Sequence, residues 1–297
     1  MIAQALRRWN VPASKFFSAF AFCGILALGS GSPSDPLSRA VPARSTAFES
    51  KMLEVGEELE YTVSYSFFTI GTIRTKVIGK EQRNGRTVYR STAIIESNPG
   101  LSWLVDLHIQ FYSEMDPGVY SHFWVEDDSS KKEINFKRFR FDYDNNKAYL
   151  EVGKKLSTNE RRVDSRDTVS ITDHCQDGLS LLFYAREHVH EQREARVPTL
   201  IDYKQVYTYI NFMNKHESAD IDAVDHPVDV VAFDGKADYV GIFGLTGGFR
   251  GWFSNDEAQI PILARMNVIL GSVKIQLTKW NRSDGWQPPK YVEGSER

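Results

Sequence analysis

Reactive side chains are sparse in this sequence, and their densest run is Asp173-His174-Cys175. A thiol nucleophile needs a base beside it in space and a third group that orients the base, so these three residue types hold the parts of a cysteine hydrolase. Their spacing argues the other way. Consecutive residues of an extended chain point apart, and a lone cysteine usually serves as a small buried hydrophobe. His174 and Cys175 are the candidates for catalysis. If they formed an enzyme, Cys175→Ala would abolish it and leave a binding protein untouched. His188, His190 and Glu191 have metal-binding side chains. On a helix, however, residues two apart do not share a face, and two helical ligands are normally three or four apart. The expectation is a solvated helix end, with no metal and no cofactor. The glycine-rich run Gly244 to Gly251 lacks the lysine followed by serine or threonine that a phosphate cradle requires, so it reads as a hairpin or bulge.

Arg186 is different in kind. It falls on the apolar side of a helical pattern, and a buried guanidinium must be paired. Asp256 or Glu257 would make it a lock between helix and sheet, whereas an open position would let it recognise an anionic head group. Tyr65, Phe67, Trp103, Trp124 and Trp252 supply aromatic surface for a groove that takes acyl chains, or else for the core. Together with Arg186 they are the ligand-binding candidates.

These residues must be held by an almost entirely β framework. Leu59, Tyr61, Val63, Tyr65 and Phe67 alternate with polar residues, which is the period of a half-buried strand, and Gly71 is expected to turn the chain. Thr72 to Ile78 and Thr87 to Ile95 flank Asn84-Gly85, a tight hairpin signal. After a short helix expected over Leu101 to Leu107, strands return at His108 to Met115 and Val119 to Val125 around Asp116-Pro117-Gly118. A further pair has Asp144-Asn145-Asn146 at its tip. Asp177 can cap one helix, in which Leu179, Leu182, Phe183 and Arg186 recur at helical spacing as far as His190. Strand patterns follow at Tyr203 to Phe212, Pro227 to Phe233, Asp238 to Phe243, Phe249 to Ser254, Ile260 to Leu270 and Ser272 to Trp280. Strand following strand without helical crossovers implies an antiparallel sheet.

Three segments carry a resemblance. Gly56-Glu57-Glu58-Leu59-Glu60-Tyr61-Thr62-Val63 with Ile70-Gly71-Thr72 is the first. Gln176-Asp177-Gly178-Leu179-Ser180-Leu181-Leu182-Phe183-Tyr184-Ala185-Arg186 is the second, with Gly178 where a proline is common. The third runs from Trp252-Phe253-Ser254-Asn255-Asp256 through Ile260-Pro261 to Gly271-Ser272-Val273 and Gln276-Leu277-Thr278. In this order they resemble the bacterial domain-of-unknown-function family 3108, whose members are exported and have no assigned activity. The resemblance implies a mainly β fold: a strongly curved antiparallel sheet or incomplete β-barrel, with one amphipathic helix packed across it. Its general shape is similar to the incomplete barrels of periplasmic lipoprotein and lipid carriers, an analogy of fold and not of chemistry.

Composition sets the outer limits. The 297 residues are 41% hydrophobic and 12% aromatic, enough for a sizeable core, and the net charge of -3 comes from interspersed acids and bases, which excludes a nucleic-acid footprint. Arg7, Arg8 and Lys15 precede an apolar run from Phe16 to Leu28 and then small residues, the order of a secretory signal over residues 1–31. The run is short for a membrane span, so no stable transmembrane segment is expected after cleavage. Cys23 lies inside it behind Phe22, which disfavours a lipid anchor. A Pro-, Ser- and Ala-rich linker over 32–50, one β domain over 51–281 and a loose tail over 282–297 complete the expected layout. Cys175 would be the single cysteine left, unable to form an internal disulfide. The expected protein is a periplasmic or envelope-associated, non-enzymatic binder of a lipid-like or polypeptide ligand in a concave β surface. The alternatives are an envelope hydrolase using Cys175 and His174, and a structural partner in an envelope assembly.

Overall fold

In the computed structural model, strand after strand pairs with its sequence neighbour. They are β1 (Glu58–Tyr65), β2 (Phe68–Arg83), β3 (Arg86–Ser97), β4 (His108–Met115), β5 (Ser121–Asp128), β6 (Ile134–Asp142) and β7 (Lys147–Lys155). Beyond them come β8 (Arg161–Ser170), β9 (Arg193–Ile201), β10 (Lys204–Ala219), β11 (Val228–Ala237), β12 (Leu245–Ser254), β13 (Pro261–Val268) and β14 (Ser272–Asn281). The helix α1 (Ser180–His188) lies between β8 and β9. The structure describes residues 50, 52–101, 106–157, 160–201, 203–238, 245–268 and 271–293, all within the compact unit 49–297. The expected signal, nearly all of the linker, Trp103, most of the helix expected before β4, Gly244 and the strand residues 239–243 lie outside them.

The fourteen strands form one antiparallel sheet in the order 8-7-6-5-4-3-2-1-14-13-12-11-10-9. Its seam is the β1–β14 pair, where Glu58 faces Asn281 and Tyr65 faces Val273, so the two ends of the fold hold each other. The sheet does not close by strand pairing. Its edges, β8 and β9, are consecutive in sequence and are stitched by the segment between them. Ile171 N donates to Asn146 O at 3.0 Å beside β7, and Gln176 bridges to Thr199 on β9. That segment leads directly into α1.

The sequence places α1 through its start and its stripe. Asp177 Oδ1 accepts from Leu179 N at 2.6 Å and Ser180 N at 2.8 Å, while Ser180 Oγ accepts from Asp177 N at 2.8 Å. This is a reciprocal capping box. Leu179, Phe183, Tyr184, Ala185 and Val189 are buried in one core with Phe111, Trp124, Phe139, Phe141, Phe212, Phe233 and Phe253, drawn from both halves of the sheet. Each such ring contributes about 1.5–3 kcal/mol by leaving water, so the helix is the filling of the curved sheet. A second core joins Leu59, Tyr61, Val228, Val230, Ile260, Ile262 and Leu277, with Trp252, Trp280 and Trp286 packed on it.

Three expectations are corrected. Gly71 does not turn the chain. The turn falls at Ser66-Phe67, and β2 runs through Gly71, where a Cβ would lie 2.4 Å from Glu96 O on β3. β8 and β9 were not foreseen. β8, Arg-Arg-Val-Asp-Ser-Arg-Asp-Thr-Val-Ser, has almost no apolar alternation because it is a charged, solvated edge. Residues 282–293 are tied down rather than loose. Tyr291 N donates to Pro227 O and Asp229 N to Pro289 O, each pairing the tail with the start of β11.

Candidate functional site

The trio Asp173-His174-Cys175 does not assemble. Cys175 is fully buried, its Sγ donating to Asp173 O at 3.4 Å, and burial pushes its thiol up to about 12, with Asp173 adding to the effect. A thiol held that high is a poor nucleophile. His174 is half exposed, and its ring packs on Tyr143 at 4.3 Å and Tyr120 at 5.0 Å between centroids. Cys175 thus serves as the small hydrophobe of the segment that stitches the edges. The histidines near the end of α1 are also separate. His188 Nδ1 meets Glu191 Oε1 at 2.7 Å and His190 Nδ1 meets Asn214 Oδ1 at 3.2 Å. Among the described residues no three His, Cys, Asp or Glu side chains are grouped to hold a metal ion.

Asp177 is the polar group buried at the start of the helix. Its Oδ2 accepts from Ser113 Oγ of β4 at 2.5 Å, which fastens the helix start to the sheet wall. Burial raises this carboxyl, and the Ser113 and Ser121 hydroxyls oppose the rise.

Arg186 lies two turns further on and is 1% exposed. Its partner is neither Asp256 nor Glu257. Nη1 donates to Glu57 Oε1 at 2.6 Å and Nη2 to Glu57 Oε2 at 3.0 Å, a bidentate pair. Nη2 also donates to Ala258 O at 2.9 Å and Nε to Gln259 O at 3.1 Å. Asp256 acts through the backbone: its Oδ1 accepts from Ser254 Oγ, Ala258 N and Gln259 N, shaping the turn that presents those two carbonyls. Arg282 adds a second guanidinium to Glu57. The Tyr61 hydroxyl, buried beside this group, is raised by burial and has no hydrogen-bond partner among the described residues. With four of its guanidinium N–H groups bonded to Glu57, Ala258 and Gln259, Arg186 is a lock among helix, β1, the β12–β13 turn and the tail. Glu57 lay inside the resembling segment but carried no local sign of its role, since pairing across 129 residues is set by the fold.

The aromatic candidates also disperse. Trp124 is core, stacked at 6.0 Å on Phe111 and 5.2 Å on Phe139. Trp252 Nε1 donates to Glu217 at 2.7 Å, with the Arg250 guanidinium over its ring. In the glycine-rich run, Gly247 has a positive φ and the β12–β13 register shifts between Leu245 and Phe249, an interruption of the ladder within β12. Tyr65 is half-buried beside Gly271. Phe67 is 83% exposed and its ring lies 4.2 Å from that of Phe68. Strand alternation puts the β1–β2, β7–β8 and β9–β10 connections at one rim of the sheet, where Phe67 and Phe68 are joined by exposed Leu156 and Tyr203. The opposite rim carries Asn84-Gly85, Asp116, Asp144, Asp220, Asp222, Asp225 and Asp256.

A family model described as "Protein of unknown function (DUF3108)" matches residues 60–278. Among solved structures, a beta-barrel-like protein of domain of unknown function DUF1849 from Brucella abortus is 10% identical. That match covers 77% of this chain and 98% of that one, with a TM-score of 0.50. A hypothetical protein from Chlamydia trachomatis is 11% identical over 83% of this chain and 98% of that one, with a TM-score of 0.33. A protein with a YmcC-like fold from Bacteroides fragilis is 7% identical over 79% of this chain and 98% of that one, also at 0.33. The first of these supports the barrel-like fold. Comparison with curated proteins finds no match.

Proposed function

The chain belongs to the DUF3108 family of proteins of unknown function, and on that footing we propose that it is a non-enzymatic protein of the cell envelope that engages lipid-like ligands through its aromatic rim. The single observation that carries this reading is where the exposed rings lie. Phe67, Phe68 and Tyr203, the aromatic members of the exposed large hydrophobics, all belong to one rim. Among the described residues the exposed rings gather on this rim, whereas the exposed large hydrophobics at the other end are the two valines Val55 and Val292; exposed rings gathered on one surface are the pattern of an interaction site. A hairpin tip carrying two phenyl rings suits the boundary between head groups and acyl chains, where each buried ring contributes about 1.5–3 kcal/mol.

The concave face is the weaker place for a ligand because α1 and the rings around it already occupy it. A hydrolase is disfavoured by the buried, raised thiol of Cys175. Export rests on the charged, apolar, small-residue order of residues 1–31.

The test is co-sedimentation of the mature chain with phosphatidylethanolamine vesicles, comparing the parent with a Phe67→Ser/Phe68→Ser variant. Binding by the parent that falls about tenfold or more in the variant is expected. No binding by the parent, or equal binding by both, overturns the reading. Intact mass of periplasmic material checks export, which predicts loss of a segment ending near Gly29.

A further inference from the structure

The convex face of β5–β8 carries a different surface, distant in character from the apolar rim. Trp124, Phe139 and Leu150 of these strands point into the core, so their sequence neighbours point outward. Cross-strand register sets Phe123, Arg140, Tyr149 and Thr168 in one outward row and Val125, Arg138, Glu151 and Arg166 in the next. Most of these residues line a groove of about 550 Å³, within the range of small-molecule sites.

The charges in the groove are unequal. Arg138 and Arg166 both bond Glu151, the latter through Nε at 2.9 Å, so two guanidiniums share one carboxylate. Arg140 forms no salt bridge among the described residues, although its charge acts on Asp142, and its guanidinium lies 4.5 Å from the centre of the Tyr149 ring. Asp142, the nearest acid along the strand, is engaged by Asn145 and by the Tyr149 hydroxyl. Asp167, at the lip, accepts from Thr168 N at 2.7 Å. The surrounding sequence 131–167 has eleven Lys and Arg against seven Asp and Glu, a local net of +4 in a chain of net -3. A fork-shaped cation stacked on a ring keeps its N–H edge free, the geometry that suits planar or tetrahedral oxyanions.

We propose that this groove binds a phosphate-bearing ligand, with the phosphate on Arg140 beside the row that holds Arg138 and Arg166, and the ligand's apolar body on Tyr149 and Phe123. Glu151 then serves as the internal counter-ion that holds two of the three guanidiniums in place. Free phosphorylated molecules and lipid head groups share this chemistry.

The experiment follows arginine Nε–H resonances of the mature chain during titration with inorganic phosphate, glycerol 3-phosphate and short-chain phosphatidylglycerol. The expected result is a saturable shift at Arg140, with affinity about tenfold or more weaker in Arg140→Ala and partly restored in Arg140→Lys. Tighter binding of phosphatidylglycerol than of glycerol 3-phosphate would make the source a lipid, and equal binding a soluble phosphate; either supports the site. Absence of a shift at Arg140, equal affinity in Arg140→Ala, or an equal loss on replacing the exposed Lys131 and Lys132 with alanine overturns it. The Phe67→Ser/Phe68→Ser variant should keep full phosphate affinity, which separates this site from the rim.

Discussion

Arg186 and Glu57 meet as a fully buried bidentate pair, with oxygens and nitrogens 2.6 and 3.0 Å apart and side chains 1% and 3% exposed. Helix α1 is only nine residues long, with nothing in its length to keep it stable alone. Its C-terminal half is fixed by this contact to β1's approach, and its N-terminal half by Asp177 to β4. An isolated charge there would have no solvent to turn to, so the pair stands or falls together.

Glu57→Gln or Arg186→Met should therefore destabilise the fold by about 3–5 kcal/mol: the first leaves Arg186 buried without a counter-charge, and the second leaves Glu57 buried with Arg282 as its remaining guanidinium. The double variant Glu57→Leu/Arg186→Met should recover much of that loss. Urea unfolding midpoints at constant slope measure both. Additive losses in the double variant would show that the two residues act separately.

The sequence made some of this legible and hid the rest for physical reasons. The alternation of Leu59, Tyr61 and Val63 is present as buried positions of β1, and Asn84-Gly85 has the two positive φ values that its dipeptide suggests. The helix was readable because Asp177 and the Leu179–Phe183–Arg186 spacing are local signals. The partner of Arg186 was not, because Asp256 is nearby in the fold but uses Oδ1 for backbone N–H groups and Oδ2 for Trp286 Nε1. Trp124 and Phe67 have equally aromatic neighbourhoods in sequence; one is core and the other 83% exposed, because Trp124 faces inward from the middle of β5 and Phe67 sits in the β1–β2 turn at the rim. β9 was hidden by Pro198, tolerated because β9 is an edge strand.

Asp177 gives a pH dependence of definite sign. Its folded carboxyl is raised by burial, so the native state holds a proton more readily than the unfolded chain. Its contribution is complete below the unfolded value, near 3.9, and is lost as pH rises through the folded value. Asp177→Asn keeps an oxygen for Leu179 N and Ser180 N and carries no charge. Above the folded value it should equal or exceed the parent in stability, with a flatter pH profile, whereas Asp177→Ala should lose about 1–3 kcal/mol at every pH through the missing cap. Thermal melts of the three proteins between pH 4 and 8 decide this. A stability gap between Asn and parent that does not change with pH would count against a raised Asp177.

Cys175 should behave as a core residue. With its thiol pushed up to about 12 and its side chain sealed under the edge-stitching segment, iodoacetamide at neutral pH should modify it only as fast as the protein opens. Adding urea short of the unfolding transition should accelerate labelling. Rapid labelling in native buffer, at the rate of a free cysteine peptide, would mean that the segment 171–179 is open in solution.

The C-terminal tail should be indispensable, although its composition reads as a loose end. Trp286 Nε1 donates to Asp256 Oδ2 at 2.7 Å, and the same carboxylate's other oxygen shapes the turn whose carbonyls receive Arg186. Arg282 bonds the Glu57 carboxylate that Arg186 also uses, and Trp286 packs edge-on against Trp280 at 5.8 Å. Removing the tail thus uncovers the second core, frees one oxygen of Asp256 and strips Glu57 of a guanidinium. Truncation after Asn281 should cost several kcal/mol, and Trp286→Ala alone about 3–5 kcal/mol if the site cannot collapse around the missing indole. Trp286→Phe restores the apolar contact without the N–H, so the difference between Phe and Ala separates packing from the hydrogen bond. Urea unfolding followed by tryptophan fluorescence and by circular dichroism measures each loss. A truncated chain as stable as the parent would reduce the tail to a surface ornament and leave the Arg186–Glu57 pair to hold this end of the sheet unaided.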